Sequence, residues 1–253
     1  MINVDFREKY RPRFFREVVG NEIPKKALIS MIESNEIRRG IHFNGPAGSG
    51  KTTLARLFVK ALHCKNFSGD VCGRCEKCKS FERNFPGSND YSFHDCTQLT
   101  RRDLEDIRKS LDFGAQAILT SDTKLQIHIF DESQRATQPL QEKFLVPLET
   151  HKDILLIFCS IGAKVSQAFS QRTLYLPTSP PEIGQLVPLL QKICKAENIV
   201  VADSNALIEV ARNAHRLPRE CLSLLEKIHL IKESLSTDLV RKLCEDGKYT
   251  IVE

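Results

Sequence analysis

No stretch of this 253-residue chain approaches the ~18 consecutive apolar residues of a membrane span. Its longest aliphatic and aromatic run covers only Ile154 to Phe158. No signal peptide is expected, because Asp5, Arg7, Glu8 and Lys9 make the N-terminus too charged for one. There is no internal repeat and no low-complexity tract. An even cysteine count, the mark of a disulfide framework, is lacking: there are nine cysteines. Charge of one sign is not dominant either. A net charge of +5 permits contact with a polyanion without demanding it. These absences predict a soluble cytoplasmic protein with no membrane contact. What is present agrees: 41% hydrophobic and 27% charged residues exclude a disordered or collagen-like chain. The length suits one large domain or two modest ones.

Five short runs read as strands: Ile41–Asn44, Tyr91–Asp95, Lys124–Phe130, Ile154–Ser160 and Thr173–Leu176. The fourth reads as apolar throughout, as expected for a parallel strand covered on both faces. Helical patterns alternate with them. One opens at Gly50 with Leu54, Leu57, Phe58 and Ala61 on one face, another runs from about Arg102 to Leu111, and a third begins near Gln138. That alternation predicts an α/β parallel sheet. The pattern changes at Pro177-Thr178-Ser179-Pro180-Pro181. Beyond it no strand signal is seen, and helices are expected over Glu182–Ala196, Ser204–Ala214, Pro218–Ile231 and Thr237–Leu243. Two domains are therefore expected, 1–177 and 178–253.

Gly45-Pro46-Ala47-Gly48-Ser49-Gly50-Lys51-Thr52 follows the first strand and opens the first amphipathic helix, as a Walker A phosphate loop does. Gly45, Gly48 and Gly50 let backbone N–H groups curl around phosphates, joined by Ser49, Thr52 and Thr53 at a helix N-terminus. Lys51 would reach the β- and γ-phosphates, and the Thr52 hydroxyl would serve Mg²⁺. The strand at Lys124–Phe130 ends in Asp131-Glu132. There Asp131 would hold Mg²⁺ and Glu132 would activate the attacking water. The acidic doublet favours hydrolysis over binding alone. Four cysteines, Cys64, Cys72, Cys75 and Cys78, crowd into one short stretch with two overlapping C-x-x-C steps. Soft thiolates at that spacing suit a closed, structural tetrahedral Zn²⁺ site, with His63 an alternative ligand to Cys64.

Lys9-Tyr10-Arg11-Pro12, Phe15 and Val18-Val19-Gly20 precede the phosphate loop. Together with Asp131-Glu132 and the placed cysteines, they resemble the AAA+ ATPase subunits of DNA polymerase clamp loaders, most of all the bacterial gamma/tau type. The resemblance covers nearly the whole chain. It implies a P-loop AAA+ three-layer parallel-sheet domain with an inserted zinc knuckle at 64–78, followed by a small all-helical lid. Tyr10, Arg11, Pro12 and Val19 would line an adenine pocket for ATP. Ser160 would be the polar sensor at the end of its strand, where Cys159 is the other choice. Arg219, after an altered Arg216-Leu217-Pro218, would be the second sensor. The family's Ser-Arg-Cys finger reads here Ser170-Gln171-Arg172, so Arg172 would serve one residue late. Thr100, Arg101 and Arg102 stand where such loaders meet DNA phosphates. Loader subunits continue into a helical collar, which is expected to be missing because the chain stops at Glu253. The implied function is an ATPase in an oligomer with other AAA+ subunits, engaging DNA and a sliding clamp. Alternatives are a similar ATPase driving another DNA-processing protein (in nuclease, transposition or defence complexes) and a non-hydrolysing ATP-binding structural subunit.

Overall fold

A run apolar enough to be covered on both sides has to sit at the centre of a sheet, and Ile154–Ser160 does. In the computed structural model, which describes residues 5–86, 91–113, 125–162 and 165–246, this strand (β4) is buried at all seven positions. Its partners are β1 (Gly40–Asn44), β2 (Ser92–Asp95), β3 (Gln126–Asp131) and β5 (Leu174–Pro177). The order is β2-β3-β4-β1-β5, and every pairing is parallel. Asn44 pairs with Ser160, and Asp95 with Asp131, so the carboxyl ends of the strands line up. That edge is where open α/β sheets do chemistry.

Alternation along the strands sorts side chains to two faces. Ile41, Phe43, Ile129 and Ile157 join Leu54, Leu57 and Phe58 of α3 (Lys51–Leu62) in one core. Phe130, Leu156 and Phe158 join Phe144 and Leu148 of the helix Thr137–Thr150 in another. The same face carries two buried histidines, His42 and His128, and the half-buried His94. His94 Nε2 lies 2.9 Å from His128 Nδ1, and His42 Nε2 lies 2.7 Å from Ser160 Oγ.

Among the described residues, four α-helices appear that the sequence pattern did not predict: α1 (Phe6–Lys9), α2 (Glu22–Glu33), α4 (Glu76–Asn84) and Gln167–Arg172. Each has a reason to be hidden. Asn21 before α2 is left-handed at φ 54° and makes no side-chain cap bond. α4 buries only Cys78 and Phe81 among charged neighbours. One carboxylate ties α4 to α3. Glu82 accepts from Lys60 Nζ at 2.6 Å and Arg56 Nη2 at 2.9 Å, both cations being buried. Lys60 also donates to the Arg13 carbonyl at 2.8 Å. An ion cluster taken out of water in this way survives only if fully partnered.

Contacts divide the chain into two units. One, residues 13–46 and 50–178, holds the sheet. The other takes residues 179–253 together with 1–12 and 47–49. The N-terminal segment therefore goes with the helical unit, not with the sheet where the sequence reading placed it. The reason lies in Phe6, buried with its ring 5.4 Å from His229 and 5.6 Å from Tyr10. The helical unit contains Ile183–Ala196, Ala206–Asn213, Pro218–Ile231 and Thr237–Asp246. Its core includes Leu186, Leu190, Val210, Leu225 and Ile228. Pro218 occupies the first turn of its helix, where no N–H is needed. A single parallel bridge, Val201 to Leu235, is the one extended pairing described here. Among the described residues no helix is long and apolar enough to cross a membrane.

Candidate functional site

The turn between β1 and α3 is built for close backbone approach. Gly50 sits at φ 100°, a value L side chains rarely adopt. At Gly45 a Cβ would fall 2.2 Å from the Thr178 carbonyl oxygen, so only glycine fits. Lys51 opens α3, and its ammonium donates to the Gly45 and Pro46 carbonyls, both at 2.8 Å. Thr52 Oγ1 donates to Asp131 Oδ1 at 2.9 Å, across from the end of β3. Burial pushes the Asp131 carboxyl above its ordinary range, and the Thr52 hydroxyl bond opposes this. A hydroxyl and a carboxylate held together in this way are hard oxygen donors of the kind Mg²⁺ takes. Thr53 is half-buried in the same first turn.

Glu132 follows at φ 51°, left-handed, in a conformation that costs a non-glycine residue of order 1 kcal/mol. The residues after it are fastened to β4: Ser133 Oγ donates to the Cys159 carbonyl at 3.0 Å, and Gln134 Oε1 accepts from the Ile161 N–H at 3.1 Å. Cys159 and Ser160 have different surroundings. The Cys159 thiol is buried in the α3-side core, while Ser160 Oγ joins His42 and, at 3.3 Å, Asn44 Oδ1. The Gly45 N–H also reaches the Ser160 carbonyl at 3.2 Å, tying loop to strand.

The remaining residues singled out by sequence make other contacts within their own units. In the helical unit Tyr10 donates to the Glu197 carboxylate, which Lys9 also approaches at 2.5 Å. Burial and that neighbouring carboxylate push the Tyr10 phenol up. Arg11 pairs with Glu8 at 3.0 Å. Pro12 is half-buried in the same unit, and Val19 is half-buried in the sheet unit. Gly48, which belongs to the helical unit, faces Arg219: a Cβ there would lie 3.2 Å from the Arg219 Cβ. Arg172 is bound to its own chain, donating to the Ala168 carbonyl at 2.7 Å and to the Glu149 carboxylate. Thr100 is the N-terminal cap of α5 (Arg101–Phe113). Its N–H and hydroxyl both donate to Asp103 Oδ2, and its Oγ1 accepts from the Asp103 N–H at 3.2 Å, a closed reciprocal cap. Arg101 and Arg102 stay exposed beside it.

The four cysteines come together. Sγ atoms of Cys64, Cys72, Cys75 and Cys78 all lie within 4.8 Å of one another. Backbone N–H groups of Cys72, Cys75 and Cys78 point at the sulfurs of Cys64, Cys72 and Cys75 at 3.3, 3.4 and 3.5 Å. Burial raises the Cys78 and Cys64 thiols; for Cys72 burial is outweighed by N–H donors from Cys75 and Arg74, and it falls to about 6. Four soft sulfurs gathered at this spacing, with donors stabilising thiolate, fit a tetrahedral zinc. Gly69 and Gly73, both at φ 68°, turn the chain around them. His63 gives Nδ1 to the Val59 carbonyl and stands outside the sulfur group.

A model of the family described as "DNA polymerase III, delta subunit" matches residues 20–162, which is more than half of the chain. The chain belongs to that family. Among similar proteins, DNA polymerase III subunit gamma/tau of Mycoplasma pneumoniae is 27% identical over 234 residues, covering 92% of this chain and 33% of the relative. The gamma/tau subunit of Mycobacterium tuberculosis is 31% identical over 223 residues, covering 87% and 38%. The chain thus spans little more than a third of the length of these relatives. Among solved structures, the RuvB Holliday junction branch migration motor of Thermotoga maritima superposes with a TM-score of 0.61 at 17% identity, over 94% of this chain and 72% of that one. That likeness is of fold, and the fold is the AAA+ arrangement that the sequence resemblance implied. Sequence reasoning did not single out two residues that contact the candidate site, Asn44 and Gln134. Asn44 ends a strand already recognised. Gln134 gains its meaning only from β4, which lies distant in sequence.

Proposed function

We propose that the chain is an ATP-binding and ATP-hydrolysing AAA+ subunit of a clamp-loader-type oligomer. The observation that carries this reading is the bond from Thr52 Oγ1 to Asp131 Oδ1, with Glu132 next in sequence and Lys51 on the loop carbonyls. In this reading the backbone of Gly45–Thr53 cradles the phosphates. Lys51 exchanges two neutral carbonyl partners for phosphate oxygens, a stronger charge-assisted contact. Thr52 and Asp131 would hold Mg²⁺, which neutralises developing phosphate charge when bound. Glu132 takes the proton of the attacking water, and Ser160 with Asn44 supplies hydroxyl and amide on the β4 side. Tyr10, Arg11, Pro12 and Val19 serve the adenine, and Arg219 reads the γ-phosphate. Four cysteines would hold one structural zinc. Other AAA+ subunits, DNA near Thr100–Arg102 and a sliding clamp complete the assembly.

ATP turnover in the assembled complex tests the proposal, with primed DNA and clamp added. Stimulation in wild type, lost in Glu132→Gln, supports it. Stimulation by a different DNA-processing protein alone would replace the clamp assignment. One observation favours a second reading. Arg172 is already paired with Glu149 in its own chain, as in a subunit that binds ATP without lending a finger to its neighbour. Unchanged turnover of the complex on Arg172→Ala would select it.

A further inference from the structure

Glu132 holds a left-handed backbone that a glutamate keeps only when its surroundings impose it. The two residues that follow do so. Ser133 fastens the turn to the Cys159 carbonyl. Gln134 reaches further: its Nε2 donates to the Glu132 carboxylate, and its Oε1 accepts the Ile161 N–H. The orientation of that amide is forced. A backbone N–H can only donate, so it must meet the amide oxygen, and the NH₂ end is left for the carboxylate.

From these contacts we infer that Gln134 is a positioning residue for Glu132. It fixes one carboxylate oxygen through Nε2 and leaves the other to accept a proton from the attacking water. A carboxylate on a free side chain rotates between equivalent oxygens, and a base is efficient only when it is oriented by a further group. A neutral amide suits that task, since it orients the acid without competing for the proton. Its other end rests one residue beyond Ser160, so the base is registered against the strand that carries the sensor hydroxyl. This inference rests on reading Glu132 as the hydrolytic base.

The experiment compares wild type with Gln134→Leu, Gln134→His and Glu132→Gln in the assembled complex. It follows kcat, KM for ATP, equilibrium affinity for a non-hydrolysable ATP analogue, and thermal midpoint. Gln134→Leu keeps the bulk and removes the donor, and kcat should fall about 10- to 100-fold, the cost of a base misplaced by a fraction of an ångström to an ångström. KM and analogue affinity should stay within about two-fold. Gln134→His restores an N–H and should recover most of kcat. It also keeps the test open should the leucine variant fail to fold. Wild-type kcat in Gln134→Leu, with Glu132→Gln inactive, overturns the inference while leaving the base assignment intact. An equal loss of analogue affinity and kcat, unrescued by histidine, marks a merely structural role and overturns it too. Wild-type turnover in Glu132→Gln removes the base assignment and this inference with it.

Discussion

Replacing Lys51 by alanine deletes a cation that already leans on the loop carbonyls. A charge-assisted contact is worth about 1.5–3 kcal/mol, so ATP affinity should drop at least ~10-fold. Equilibrium titration with a fluorescent ATP analogue checks this. Zinc content, measured on the same sample, should not change, because Lys51 is remote from the sulfurs in sequence and partners. Glu132→Gln should instead keep nucleotide affinity and lose turnover by about 10²–10⁴-fold, the usual contribution of a general base. Both residues were legible in the sequence, because a phosphate loop and an acidic strand end are local patterns. Gln134 and Asn44 were not, since their partners come from β4. Thr100 carries a second local pattern beside the proposed phosphate contact. Its Thr-x-x-Asp spacing is a capping signature, and the hydroxyl offered to phosphate is spent on Asp103.

The cysteine knuckle is the element whose chemistry the sequence displayed most fully, down to the four sulfurs. What spacing did not display is how the knuckle is seated. Asp70 accepts from the Phe15 N–H at 2.9 Å, and a Cβ on Gly73 would strike the Phe14 ring at 2.6 Å. Gly73→Ala should therefore destabilise by about 2 kcal/mol or more, lowering Tm by about 4 °C or more. Gly69→Ala shares the φ of 68° but has nothing nearer than 3.9 Å, so it should cost only about 1 kcal/mol of backbone strain. Differential scanning calorimetry of the two variants separates them. Cys75→Ser with Cys78→Ser should take bound zinc from about one per chain to none, as read by elemental analysis. Elsewhere the strand at Ile154–Ser160 and the helix at Pro218–Ile231 matched their predicted bounds, because one is uniformly apolar and the other opens with proline. α2 escaped because its N-cap Asn21 makes no side-chain cap bond, and α4 because its cap is a cysteine sulfur and only Cys78 and Phe81 are buried among charged neighbours.

The molecule as a whole should be acid-sensitive. Burial holds His42 and His94 down at about 4, and burial plus its neighbour His94 holds His128 at about 3. An unfolded histidine titrates near 6.5. Above that value neither state is protonated and the histidines contribute no slope. Below it the unfolded chain binds protons that the native sheet refuses, so stability falls by about 1.4 kcal/mol per pH unit for each independent histidine, down to about pH 4. Urea midpoints measured between pH 7.5 and 5 should show the decline, and His94→Phe with His128→Phe should flatten it. Glu82 bears on a different question, that of how small this chain can be made. It is the counter-charge for Arg56 and Lys60 on the back of the phosphate helix, yet it is supplied by the helix that closes the cysteine module. Trimming that module away to obtain a minimal ATPase would strand two sequestered cations beneath α3, so any shortened version has to import a substitute acid or exchange both cations for apolar residues.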